Sequence, residues 1–291
     1  MAAMRQRQTS RAALLGAATA LWAGAAAAAA PCPPGALGTS RIQIVDPRAG
    51  LAIGLKTYPR TLALADREVV LTFDDGPLPG TTAKVLDALA AECVKATFFL
   101  VGRNAQANPE LVRRESAEGH TVGHHTFSHP SLTLRGLGDA AAKADIERGF
   151  AADDIAAYGS YGSGPRVKFF RFPGFGDTAP LLAALAGRGI AVFGADLWAS
   201  DWLPMTPAAE LALVLGRLED EGRGIVLLHD TKANTAAMLP ALLRALKARG
   251  FRVVHLAPGE GATPLRAAPP GWASETERTL ARMWPKAAAG Q

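Results

Sequence analysis

Two adjacent carboxylates, Asp74 and Asp75, end an apolar run that begins at Val69, within Leu71–Thr72–Phe73–Asp74–Asp75–Gly76–Pro77. The run reads as a buried strand, and Gly76–Pro77 stops it abruptly. Two ionised carboxylates this close repel each other, so the pair calls for a cation or a shared proton. Alone, Asp-Asp reads more simply as a strand end with one acid capping the next turn. The rest of the chain changes that reading. His125 and His129 stand four residues apart in His124–His125–Thr126–Phe127–Ser128–His129–Pro130, and Pro130 biases His129 away from helix, which puts the pair on a tight loop. With one carboxylate they make a two-His, one-Asp set that leaves coordination positions open, the pattern of a catalytic zinc site. The same set suits non-haem iron, though usually on another scaffold. Further polar residues follow other apolar runs: Arg171–Phe172–Pro173–Gly174, Asp201–Trp202, and Leu227–Leu228–His229.

The elements that must position these residues follow from periodicity. Strands are expected at 69–73, 96–101, 120–123, 167–172, 190–194, 224–228 and 251–256, with a short one at 42–45. Helices are expected at 81–91, 109–118, 139–157, 179–186, 207–221 and 235–249. Seven strands alternating with six helices in one domain predict an α/β fold. The expected form is a distorted (β/α) barrel of about seven parallel strands, with an open doubly wound sheet as the alternative. In a barrel, five polar segments at strand ends converge on one rim. No internal repeat is present.

Composition bounds the partners. The chain has 291 residues, 49% of them hydrophobic, and a net charge of +5. Residues 1–30 carry Arg5, Arg7 and Arg11 ahead of an uncharged Ala/Leu/Trp run that ends in small residues, the pattern of a secretory signal peptide. A retained membrane anchor is the rival reading. Cleavage near Ala30 lowers the charge by three, from +5 to +2, and leaves no argument for nucleic acid. The expected location is periplasmic or extracellular, without stable membrane insertion after cleavage. There, Cys32 and Cys93 either form a disulfide or remain unpaired thiols. The expected organisation is a leader (1–30), a linker and lead-in (31–66), a catalytic barrel (67–258) and a tail (259–291) that wraps the surface or is partly disordered.

The ordered segments Thr72–Phe73–Asp74–Asp75–Gly76–Pro77, His125–Thr126–x–x–His129–Pro130, Arg171–x–Pro173, Asp201–Trp202 and Leu227–x–His229 resemble the motifs of the polysaccharide deacetylases, carbohydrate esterase family four. The resemblance spans roughly residues 69–256. It implies a divalent metal, Zn²⁺ with Co²⁺ or Ni²⁺ as alternatives, held by Asp75, His125 and His129. It also implies hydrolysis of N-acetyl groups on amino-sugar glycans such as peptidoglycan or chitin-like oligosaccharides. Carried over by residue, Asp74 is the general base and His229 the acid that protonates the leaving amine. Arg171 orients Asp74, and Asp201 holds His229. Pro173 and Gly174 belong to the substrate side, and Trp202 and Leu227 wall the acetyl methyl.

Some positions depart from the family pattern. His124 stands where Asn is common and reads as a hydrogen-bonding support, an extra ligand or a packed ring, with the non-ligand readings favoured. Gly174 stands where Tyr is frequent; Phe175 is the candidate replacement wall. Blander roles are expected elsewhere: His120 and His255 as packed rings, Asp230 as a cap rather than a support for the metal, and Gly159, Gly162 and Gly164 as a loop lacking the context of a phosphate cradle. Two other functions remain open, an inactive carbohydrate-binding relative and an amidase on a small cyclic or formylated substrate.

Overall fold

The computed structural model describes residues 32–283; the expected leader lies outside the described residues, as does 284–291. In chain order the elements are β1 (Thr39–Val45), β2 (Ala52–Ile53), β3 (Arg60–Leu62), β4 (Glu68–Asp74), α1 (Thr82–Ala91), β5 (Thr97–Leu100), α2 (Gly102–Ala107), α3 (Pro109–Ala117) and β6 (Thr121–His124). They continue with α4 (Asp139–Tyr158), β7 (Phe169–Phe170), α5 (Ala179–Gly187), β8 (Ala191–Phe193), β9 (Leu197–Trp198), α6 (Pro207–Glu221) and β10 (Gly224–His229). Last come α7 (Ala233–Ala248), β11 (Arg252–Pro258), β12 (Leu265–Ala267) and α8 (Glu275–Met283). Helix starts follow their caps. Thr178 accepts from Leu181 N ahead of α5, Thr206 accepts from Ala209 N ahead of α6, and each helix has proline in its first turn.

The main sheet is parallel, as an α/β chain with helical crossovers requires. Its ladder runs β9–β10–β4–β5–β6–β7–β8–β2, while β11 pairs the start of β4 and carries β1 beyond it. Among the described residues no ladder joins β8 to β9, so strand pairing does not close the expected barrel there. The buried Asp196 carboxylate spans that junction instead, accepting from Leu55 N, Ile225 N and the Thr61 hydroxyl. Aspartate suits the place because two lone-pair-rich oxygens satisfy three donors that lack strand partners.

Strand β4 is buried throughout, and its period of two decides what its end can do. Val69, Leu71 and Phe73 face the helix layer, where they pack with Leu86 and Leu89 of α1 and Leu239 and Leu243 of α7. Val70 points the other way, into a second apolar cluster with Phe99, Phe169, Phe193 and Val254. Asp74 continues the inward series through Thr72. Its partner in register across β10 is His229. The pairing of two strands therefore sets an acid and a base side by side.

Three features differ from expectation. The lead-in holds three strands, not one, and β1 extends the sheet by pairing with β11. Helix α2, too short to show a period, was not anticipated. The tail takes the wrapping alternative, not the disordered one, through 283, and is fixed more firmly than its composition suggests: β12 pairs antiparallel with β3, Trp272 donates its indole N–H to Leu55 O at 2.7 Å, and α8 follows. Short strands and single-helix docking depend on partners far away in the chain, which local patterning does not carry. No described helix is long and apolar enough to cross a membrane.

Cys32 and Cys93 form a disulfide that closes a separation of 61 residues. It ties the start of the described chain to the turn after α1, where Leu37 N also donates to the Glu92 carboxylate at 2.8 Å. Cross-links of this loop size stabilise by about 2–4 kcal/mol through the unfolded chain. Cys93→Ser should therefore lower stability by that amount in denaturant titration without reductant. Reductant should destabilise the wild type equally and leave the variant unmoved; a variant as stable as the wild type would contradict this.

Candidate active site

Asp74 is 2% exposed and its Oδ1 accepts from Arg171 Nη1 at 2.7 Å. Arg171 is fully buried, an expensive place for a charge unless every donor is used. Its remaining bonds go to the Thr72 hydroxyl, Phe193 O and Gly194 O, and its guanidinium lies 4.3 Å from the centroid of the Phe99 ring. A planar fork with five donors fills this environment as a lysine ammonium could not. Asp74 is thus held in place through a side chain that is itself fixed on three sides.

Asp75 would point into the helix layer if β4 continued. Instead its backbone turns into the left-handed region, φ 76°, a conformation that aspartate tolerates better than most residues. Both carboxylates then line one cavity. The next residue must be small: a Cβ on Gly76 would lie 2.1 Å from Asp230 Oδ2. Asp230 itself accepts from the Thr82 side-chain hydroxyl behind the turn and stays out of the cluster; it caps neither α1 nor α7, contrary to expectation. The β6–α4 loop uses the same device, with Thr126 at φ 69° and His129 at φ 47°. This brings the His125 and His129 rings to 5.1 Å between centroids.

Asp75, His125 and His129 each offer a ligand atom within 4.8 Å of the others. His125 Nδ1 is 2.7 Å from Arg171 O; a carbonyl only accepts, so Nδ1 carries the hydrogen and Nε2 keeps its lone pair. That Nε2 faces Asp75 Oδ1 at 3.6 Å, and His129 Nε2 lies 3.3 Å from the same oxygen. Asp75 Oδ1 is buried without a hydrogen-bond partner among the described residues. Burial pushes the His125 imidazole down to about 4, so it is neutral at ordinary pH and free to donate its lone pair. For Asp75, burial acts to raise the pKa, but the surrounding imidazoles of His229, His125 and His129 outweigh it and hold the carboxyl below its usual value. Lone pairs converging on one point, with an orphaned anionic oxygen among them, fit a divalent cation.

Opposite the cluster stands His229. Its Nδ1 lies 2.7 Å from Asp201 Oδ1, and its backbone N–H donates to Asp201 Oδ2 at 2.7 Å. Burial works against the imidazolium, but the Asp201 carboxylate prevails, aided by Asp75 and Asp74, and the ring is raised to about 9. Nε2 is left facing the cavity, 3.9 Å from Asp75 Oδ2. Behind Asp201, the Thr235 hydroxyl is 2.8 Å from both Asp201 Oδ2 and Glu210 Oε1. It has one proton to give, so a proton on Glu210, whose carboxyl burial raises to about 7, completes the set.

The cavity holds about 250 Å³. Trp202 and Leu227 line it as expected, Trp202 edge-on to His229. Gly174 lines it too, at φ 55°, where a side chain would be strained. Phe175 takes up the wall beside Gly174 and stacks on Trp198, with centroids 6.1 Å apart. Pro173 is buried in the turn and does not line the cavity. His124 is a packed, hydrogen-bonded ring: it is fully buried, lies 2.8 Å from Asp153 Oδ2 and 3.0 Å from Val167 O, and stands edge-on to Phe150. Burial pushes it down to about 3. His120 and His255 are likewise buried in hydrogen bonds away from the cavity.

Sequence reasoning missed Thr235 and Glu210, Lys232 in the cavity lining, and the whole contribution of α8. Only α8 left a readable signal, uncharged residues at helical spacing in a charged segment. Thr235 and Glu210 look like ordinary helix residues until α6 and α7 pack together.

Fold and site together define an α/β protein with an Arg-held carboxylate and an Asp-held imidazole on either side of a two-histidine, one-carboxylate cluster. The comparisons bear on its fold and family. The family model described as polysaccharide deacetylase matches residues 62–192. The peptidoglycan-N-acetylglucosamine deacetylase of Listeria monocytogenes is 33% identical over 194 residues, covering 67% of this chain but 39% of the relative, so the chain spans well under half of that protein. The chitooligosaccharide deacetylase of Sinorhizobium fredii is 35% identical over 215 residues, covering 69% of this chain and 95% of the relative. Among solved structures, a peptidoglycan deacetylase of Bdellovibrio bacteriovorus superposes with a TM-score of 0.66 at 31% identity, over 77% of this chain and 60% of that one. The chain belongs to the polysaccharide deacetylase family.

Proposed function

We propose that the protein is a metal-dependent hydrolase that removes N-acetyl groups from amino-sugar glycans. The observation that carries this reading is the pair Asp74 and His229, in register on adjacent strands, each with its own buried partner, flanking Asp75, His125 and His129. A divalent cation at that cluster, zinc being the best match to the donor set, supplies Lewis acidity toward the acetyl carbonyl and lowers the pKa of water to ~7. Asp74, kept in place by Arg171, takes the proton of the attacking water. His229, charged by virtue of Asp201, gives a proton to the departing amine nitrogen. Trp202 and Leu227 exclude water from the acetyl methyl. Such paired proton transfers contribute ~10²–10⁴-fold each. The names of the relatives support acetylated glycans, peptidoglycan or chitin-like, as substrates.

Export is part of the same proposal. The basic front and small-residue end of 1–30 support a cleaved leader, and the Cys32–Cys93 disulfide supports an oxidising compartment outside the cytoplasm.

Acetate release from penta-N-acetylchitopentaose and from purified peptidoglycan, with zinc-loaded protein, tests the reading. Release that a chelator abolishes and zinc restores is expected. Release from neither substrate, or release indifferent to chelator, would overturn it.

A further inference from the structure

Helix α8 stands outside the matched family residues and outside every motif of the site, yet it forms a wall of the catalytic cavity. Thr276, Thr279, Leu280 and Met283, spaced i, i+3, i+4 and i+7, share one helical face, and all four line the space occupied by Asp74, Asp75 and His229. The opposite face carries Glu277, Arg278 and Arg282. The cavity is therefore the partner of this face, which combines two threonines with Leu280 and Met283.

The placement is built in from both sides. On one, Thr276 N donates to Lys56 O at 2.9 Å, the Thr276 and Thr57 hydroxyls meet at 2.9 Å, and Glu275 pairs with Lys56. On the other, Glu277 forms a two-pronged pair with Arg135 at 2.5 and 3.0 Å. Arg135 is nearly buried and donates from Nε to Asp177 O at 2.6 Å, which joins the helix to the segment after Phe175. A bidentate guanidinium pair of this kind fixes orientation as well as position. Helix α8 thus bridges the 55–57 turn and the 135/177 corner across the flank of the cleft.

A groove that accepts the interior of a long polymer must be open at both ends. Here one flank is walled by the buried Leu280, with the largely exposed Met283 at its edge, in the cavity of about 250 Å³ that Trp198, Trp202 and Phe175 also line. That volume lies below the ~300–1,000 Å³ of sites for drug-sized ligands. We infer, on the reading of the site as a glycan deacetylase, that α8 is a specificity element that restricts the enzyme to short oligosaccharides and chain ends. The residue being deacetylated abuts the Leu280–Met283 wall, and the rest of the glycan leaves on the other side.

The test compares hexa-N-acetylchitohexaose with soluble high-polymer glycol chitin, and locates the deacetylated residues of the hexamer by mass spectrometry. Wild-type protein is set beside the double variant Leu280→Ala/Met283→Ala and a chain ended at Pro270. Bound zinc at wild-type level shows that each variant is folded around the site. Wild-type deacetylation confined to the first or second residue from one end is expected. In the variants deacetylation should move inward, and the polymer-to-hexamer ratio of kcat/KM should rise by about tenfold or more, mainly through KM. Interior deacetylation by the wild type, or identical patterns and ratios in all three proteins, would overturn the inference while leaving the deacetylase reading intact. No acetate from any glycan would remove that reading, and this inference with it.

Discussion

His229→Ala is expected to depress kcat on an N-acetylated chitooligosaccharide by about 10²–10⁴-fold while bound zinc stays at the wild-type level. The reason is positional. His229 ends β10 in register with Asp74, and Nε2 faces the cavity while Nδ1 is engaged by Asp201. The ring is not one of the three clustered ligand residues, so its loss leaves the cluster whole. An amine leaving group needs a proton and an activated phenolate does not. The defect should therefore shrink on an aryl acetate ester, and equal damage on both substrates would show that His229 does something else. Asp201→Asn provides the pH readout. A general acid works while protonated, so activity falls as pH rises through its pKa. His229 is raised to about 9 chiefly against the pull of burial by the Asp201 charge. Removing that charge lowers the pKa, and the alkaline limb of the kcat profile should move to lower pH. An unmoved limb would separate Asp201 from the titrating acid.

The second large effect separates metal from base. His125→Ala and His129→Ala should each lose zinc and activity together, with affinity falling by more than the ~10–100-fold that accompanies loss of a ligand's outer partner. Asp74→Asn should retain zinc and lose turnover by about 10²–10⁴-fold. Asparagine keeps an acceptor oxygen for Arg171 but removes its counter-charge, so it loses part of the ~3–5 kcal/mol that breaking a buried pair costs, and alanine, which removes both, loses more. Elemental analysis beside acetate release reads both quantities. Full zinc in the histidine variants would remove them as ligands, and zinc loss in Asp74→Asn would mean that the roles of Asp74 and Asp75 are exchanged.

The disposition of the tail argues for caution in equating an undistinguished composition with an undistinguished place. Residues 259–291 are rich in alanine, proline and glycine, which lowers any expectation of packing. Yet β12 needs only three residues to pair with β3, and α8 needs only four on one face to line a cavity. His124 shows the converse. Its neighbour His125 is a candidate ligand, but the two residues point to opposite faces of the chain at the end of β6. His124 therefore enters the cluster of Phe150 and Asp153, away from the carboxylates.

The chain alone determined the seven principal strands and the α/β class, and it picked out the candidate site residues. Each of these rests on local rules: apolar runs that become strands, caps and prolines that begin helices, and polar residues placed where those runs end. It was also enough to separate His125 and His129 from the remaining histidines. What it left open was decided by tertiary structure. The Cys32–Cys93 bond, the left-handed turn that brings Asp75 beside Asp74, the Thr235–Glu210 support behind Asp201, and the wall made by α8 all join residues distant in sequence or depend on backbone turns that no side-chain pattern encodes. Local propensity concerns one element at a time; these features exist only between elements, where burial and the need to satisfy every polar group select one arrangement.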